Sequence, residues 1–129
     1  MKFLIFLYAL SSVVYSKLRP EIIVDWENLH LPYFDKCVKE TNVDPMIARL
    51  MFRQLQFPNE KSFQCYLTCI FKNNQIITPD DQIDYDKLLA VAHVSKELGE
   101  KCIKVVENMK EICEIVYVGA KCIIENSYE

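Results

Sequence analysis

The sequence predicts an all-α domain cross-linked by disulfides, and three observations predict it. Apolar residues recur at intervals of three and four along most of the chain, the spacing of one helix face. Only two glycines occur, Gly99 and Gly119, and the Asn-Gly and Asp-Gly dipeptides that close tight β-hairpins are absent. Six cysteines, Cys37, Cys65, Cys69, Cys102, Cys113 and Cys122, stand in a chain of 129 residues that opens with a leader.

That leader is residues 1–16, MKFLIFLYALSSVVYS. Lys2 supplies the basic n-region and Phe3 to Leu10 the apolar core. Val14 and Ser16 occupy the minus-three and minus-one positions of a cleavage site. The segment is too short to span a bilayer stably. We read 1–16 as a secretory signal peptide and 17–129 as one domain. The formal charge of −3 becomes one unit more negative when Lys2 leaves. A mildly acidic chain without clustered cations is a poor nucleic-acid binder, and no later apolar run approaches membrane length. A secreted, extracellular and soluble product is expected.

Each helix has its own signal. Pro20 opens the first, which continues through EIIVDWENLH with Ile22, Ile23, Trp26 and Leu29 near one stripe. Pro32 breaks it, and a second piece runs from about Tyr33 to Glu40. In NVDPMIARLMFRQL, Asp44 is the cap and Pro45 the first helical residue. Asn59 is expected to cap the next helix, which turns Phe63, Leu67 and Ile70 inward. NNQIITPDDQ is the longest polar loop. Asp84 is then expected to cap one helix over YDKLLAVAHVSKEL, bent or ended near Gly99, with KCIKVVENMK continuing the pattern. The last helix runs from about Glu111 to Ile124, with Ile112, Ile115, Val116, Gly119 and Ile123 on its stripe.

An even cysteine count in a small secreted chain implies three bridges. On one helix, Cys113 and Cys122 lie half a turn out of phase and about 13.5 Å apart. A disulfide needs Cα atoms about 4.4 to 6.8 Å apart, so these two must reach different neighbours. Cys65 and Cys69 share a helix face with both Cβ atoms tilted the same way, which disfavours a bond between them. Ten of the fifteen pairings stay open on these grounds. A metal site is not expected: there is no Cys-x-x-Cys pair, and His30 and His93 lie far apart in sequence.

CYLTC and CEIVYVGAKC carry three and eight residues between their cysteines. Twenty-seven residues separate Cys37 from the first pair, and thirty-two and then ten separate that pair from the second through Cys102. This pattern, on helices and behind a leader, resembles the six-cysteine insect odorant-binding protein family over the whole of residues 17–129. The resemblance implies about six helices around an apolar cavity, stapled by Cys37–Cys69, Cys65–Cys113 and Cys102–Cys122. The thirty-two residues between Cys69 and Cys102 are fewer than the family usually carries. The resemblance therefore implies a cavity that is smaller there, or open on that side.

It further implies a carrier of small hydrophobic molecules such as odorants or pheromones. The partners are that ligand and a membrane chemoreceptor, and the carrier is a monomer or weak homodimer. Wall positions carried over are Ile123, Val116, Ala120, Tyr33, Phe71 and Ile76. Leu50 and Leu89 are added from helical phase. Tyr117 is a candidate to offer its hydroxyl to a ligand, against the commoner reading of a core or surface tyrosine. His30 and His93 are read as solvated or hydrogen-bonded structural residues. Asp80, Asp81, Asp84 and Asp86 are read as caps and solvated face, since no position-twelve glutamate completes a calcium loop.

The other function classes have less behind them. A secreted phospholipase needs a His–Asp pair beside a glycine-rich calcium loop, and neither is present. Every cysteine is committed, so no Cys–His arrangement is free; no enzyme activity and no cofactor are expected. The alternative function is a non-olfactory relative, of saliva, venom or seminal fluid, that sequesters lipids or biogenic amines. Only IIENSYE follows Cys122, so a tail that inserts into the cavity at acid pH is not expected. The tail is instead expected to lie across the cavity mouth, with Ile123, Ile124 and Tyr128 on apolar wall.

Overall fold

The computed structural model describes residues 17–129, so the leader expected over 1–16 lies outside the described residues. Among them are seven α-helices: α1 Pro20–His30, α2 Phe34–Thr41, α3 Pro45–Gln54, α4 Lys61–Asn73, α5 Tyr85–Leu89, α6 Lys96–Val106 and α7 Ile112–Glu125. A single 3-10 turn, Leu31–Tyr33, joins α1 to α2 at Pro32, so the two act as one broken helix and the count is six in effect. There is one isolated β-bridge, Ile77 with Ile83, and no described helix is long and apolar enough to cross a membrane.

Local chemistry sets most ends. Pro20 stands at the start of α1 and Pro45 at the start of α3. Asp44 accepts hydrogen bonds from the Met46 and Ile47 amides at 2.9 and 3.4 Å, satisfying donors that the first turn leaves free. Asn42 and Leu55 close α2 and α3 in the left-handed conformation, the usual helix stop. Asn59 does not cap α4. Glu60 holds that position without a side-chain bond, and the Asn59 side-chain Oδ1 instead accepts from Gln64 Nε2 at 2.6 Å.

The largest departure from the sequence reading lies between Asp84 and Val106. One helix was expected at its start; there are two, with a turn over residues 90–95 between them. Asp84 caps α5 through the Lys87 amide at 3.1 Å. Ser95 then caps α6 by accepting from the Leu98 amide at 3.1 Å. His93 takes a left-handed φ of 66° in the turn. Two contacts to α1 hold it: Trp26 Nε1 donates to the Ala92 carbonyl at 2.8 Å, and His93 Nε2 meets Asp25 at 2.7 Å. Gly99 neither bends nor ends α6. It lies buried inside that helix, where a Cβ would come within 2.5 Å of Leu89 Cδ2, so it lets α5 lie close against α6.

The three bridges form as the resemblance implied: Cys37–Cys69, Cys65–Cys113 and Cys102–Cys122, with Cα separations of 5.7, 4.9 and 5.6 Å. They tie α2 to α4, α4 to α7 and α6 to α7. These are also the helix pairs in most extensive contact, so α4 and α7 form the axis on which the other helices are hung. Glu27 of α1, nearly buried, accepts from Arg53 of α3 at 2.7 and 3.0 Å. That two-pronged ion pair closes the side of the molecule that no bridge reaches.

Candidate functional site

The helices leave two adjoining apolar cavities. The larger, about 70 Å³, is bounded by Trp26, Leu29 and His30 of α1, Met51 and Phe52 of α3, and Leu67, Ile70 and Phe71 of α4. The far side is Ile76, Leu88, Val91 and Val94, with Ala120, Ile123 and Ile124 of α7 as the floor. The smaller, about 30 Å³, lies between α6 and α7 against Ile77, Ile83, Cys102, Ile103, Val106 and Val116. Phe71, Ile76, Leu88, Ala120 and Ile123 belong to both, so these five form the partition. Ile83, Ile103, Val106 and Ile115 of the smaller cavity also line an outer groove with Tyr85 and Lys110. The thin wall is thus on the side supplied by the short Cys69–Cys102 segment and the α6–α7 connection.

The structure brings five of the nine sequence-derived wall residues to the cavities: Phe71, Ile76, Val116, Ala120 and Ile123. The other four lie elsewhere. Tyr33 sits in the 3-10 turn and packs half-buried against the core edge. Leu50 is half-exposed on α3, where its neighbours Met51 and Phe52 face inward. Leu89 packs on Gly99, and Leu88 faces the cavities instead. Tyr117 is buried, but its hydroxyl donates to the Phe57 carbonyl at 2.6 Å and its ring stacks edge-on with Phe63. That hydroxyl is committed to holding the loop before α4. Of the tail, Ile123 and Ile124 are in the wall; Tyr128 packs on the core outside it.

His30, expected as a solvated or hydrogen-bonded structural residue, is hydrogen-bonded, and among the described residues it is the one imidazole or charged-type side chain of either wall. Its burial is nearly complete, at 1 % exposed. Nδ1 lies 2.9 Å from the Tyr66 hydroxyl of α4, and Phe52 stands edge-to-face with the ring at 5.5 Å. Nε2 has no hydrogen-bond partner among the described residues. Burial lowers the imidazole from its ordinary 6.5 to about 4, against the pull of Glu27 and with a smaller push from Arg49, so the ring is neutral at neutral pH. Burial also raises the Tyr66 phenol, which stays protonated. The signal that could have singled out His30 is its phase: it follows Trp26 by four residues, which puts both on one helix face.

The remaining polar clusters are structural. Asp80 accepts from Thr78, Asp81 pairs with Lys72 at 2.7 Å and Asp84 caps α5. Among the described residues no group of three or more His, Cys, Asp or Glu is placed to hold a metal ion.

Comparison with known proteins agrees with this architecture. A model described as the PBP/GOBP family matches residues 27–126. A search of curated proteins finds no match. Among solved structures, Apis mellifera odorant binding protein 5 is similar, with a TM-score of 0.57 at 20% sequence identity, covering 85% of this chain and 93% of that one. At that identity the likeness speaks for the fold.

Proposed function

The chain belongs to the PBP/GOBP family, and on that premise we propose that it is a secreted carrier of small hydrophobic molecules, such as odorants or pheromones, in extracellular fluid. The observation that carries this reading is the pair of joined cavities, walled by apolar side chains with a single imidazole among them. Such a wall gains about 25 cal/mol for each Å² of apolar ligand surface taken from water, and one polar group suffices to orient the ligand. The bridges fit the same purpose. A small domain that leaves space at its centre forgoes packing, and three cross-links offset that loss by constraining the unfolded chain.

Sequestration of a biogenic amine has less support. A protonated amine buried here would need a carboxylate beside it, and among the described residues none lines either cavity. An uncharged lipid is compatible with the wall, and the tissue of expression separates that role from olfaction. The test of carriage is displacement of an apolar fluorescent probe by candidate ligands. Saturable, displaceable binding supports the reading; no displaceable binding under any condition removes it.

A further inference from the structure

We propose that His30 gives the cavity its chemical selectivity: its Nε2–H donates a hydrogen bond to an oxygen acceptor, such as a ketone, aldehyde or ester carbonyl, on an otherwise apolar ligand. The inference rests on the carrier reading and narrows it to a ligand class.

The first observation is the orphaned atom. Nε2 is enclosed, belongs to a wall residue of the larger cavity and has no partner among the described residues. A buried polar atom left unsatisfied bears the cost of its lost hydration with nothing to offset it. Such atoms persist where something outside the chain completes them. Phe52, standing edge-to-face with the imidazole, offers no oxygen.

The second observation settles which way the proton lies. Among the described residues the Tyr66 hydroxyl has His30 Nδ1 as its one partner. If Nδ1 carried the proton and donated, the phenol hydrogen would be left without an acceptor, and Nε2 would be left without a donor. If the phenol donates to Nδ1, every hydrogen but one is placed, and that one is on Nε2. The second arrangement strands fewer groups in an apolar interior. Tyr66 is itself fully buried behind His30, so it fixes the tautomer as well as the ring.

The selectivity follows. A pure hydrocarbon leaves Nε2–H unsatisfied, whereas a ligand with one acceptor at the right end completes it. A site built around a buried polar group discriminates strongly against the analogue that lacks the matching atom. An ammonium ligand, itself only a donor, is rejected by the same group.

Two measurements test this on the full chain with a medium-chain methyl ketone and the alkane of equal length. In binding, the ketone is expected to be held at least tenfold more tightly than the alkane. In the double variant His30→Phe/Tyr66→Phe, which removes both partners together, the preference for ketone over alkane should disappear, whatever the altered wall does to the alkane affinity itself. A preference unchanged in the variant overturns the proposal, as does equal loss for both probes. The second measurement does not need a variant. Nitrogen-15 NMR of the imidazole should show the proton on Nε2 in the free protein, with that N–H moving on addition of ketone and not of alkane. A proton on Nδ1, or an N–H unmoved by ketone, overturns the proposal. Failure of both probes to bind the unaltered protein overturns the carrier reading itself; binding of both without discrimination overturns only the role of His30.

Discussion

His30 is neutral inside the fold because burial lowers its pKa from 6.5 to about 4, and that makes stability depend on pH in a definite direction. Groups from three neighbouring elements act on it: Glu27 of α1, Arg49 of α3 and the Tyr66 phenol of α4. The unfolded chain binds a proton near 6.5 and the folded chain only near 4. Its contribution is therefore complete above 6.5 and is lost as pH falls towards 4, by up to about 3 kcal/mol at about 1.4 per unit. Denaturant midpoints measured from pH 7.5 to pH 4 should fall more steeply for the unaltered protein than for His30→Phe/Tyr66→Phe. Parallel curves would mean that the imidazole does not stay neutral in the fold. Ile123 gives a second residue-level outcome, since it borders both cavities. Ile123→Trp should fill the space they share and lower affinity for every ligand tenfold or more, about 1.4 kcal/mol, with helix content kept; unchanged affinity would place Ile123 outside the binding wall. Individual wall residues were only partly legible. Most positions placed by their distance from a cysteine, such as Ile123 beside Cys122, fall in the wall, but Tyr33, four before Cys37, does not; the two chosen by helical phase missed by one residue. Leu50 stands where Met51 faces in, and Leu89 where Leu88 does. A helix turns about 100° per residue, so an error of one in its rotation moves a side chain out of the cavity.

Helix starts were more legible than helix continuity. Asp44 and Pro45 mark α3 because a carboxylate beside free amides and a fixed proline φ act locally, whatever the tertiary surroundings. Asp44→Ala should cost about 1 kcal/mol and lower the thermal midpoint by about 4 °C or a little more, with ligand affinity nearly unchanged because the cap is exposed and lines neither cavity. A loss of binding out of proportion to the loss of stability would show that the start of α3 positions Met51 and Phe52. The break between α5 and α6 was not legible from apolar spacing, because the stretch over Leu88, Val91 and Val94 keeps a helical rhythm across a turn. What ends α5 is non-local: Trp26 and Asp25, more than sixty residues earlier, hold the Ala92 carbonyl and His93. The local half of the signal was Ser95, whose hydroxyl caps α6. The result brings Val91 and Val94 to the cavity beside Leu88.

The three bridges differ in what they hold, and their removal should separate stability from binding. In the chain-entropy account each closes a loop, with separations of 32, 48 and 20 residues, which corresponds to roughly 3 to 4 kcal/mol apiece. On stability alone the three should look much alike. Their relation to the cavities is unequal. Cys102 is itself a wall residue, and its bond to Cys122 holds α6 against α7 along the smaller cavity, beside Ile123. Cys37–Cys69 pins α2 to α4 away from either wall. Two double variants should therefore diverge. Cys102→Ala/Cys122→Ala should lose about 3 kcal/mol and most ligand affinity, since the thin side beside the outer groove is then free to open. Cys37→Ala/Cys69→Ala should lose a similar stability yet bind within a few-fold of the unaltered protein at a temperature where both remain folded. The quantities to measure are denaturant midpoints, helix content and probe affinity for each variant. Equal losses of affinity would mean that the bridges support the cavity only by keeping the whole chain folded. The divergence would instead place the mobile wall at the α6–α7 seam, where the chain between Cys69 and Cys102 is shortest of material and a covalent bond takes the place of packing.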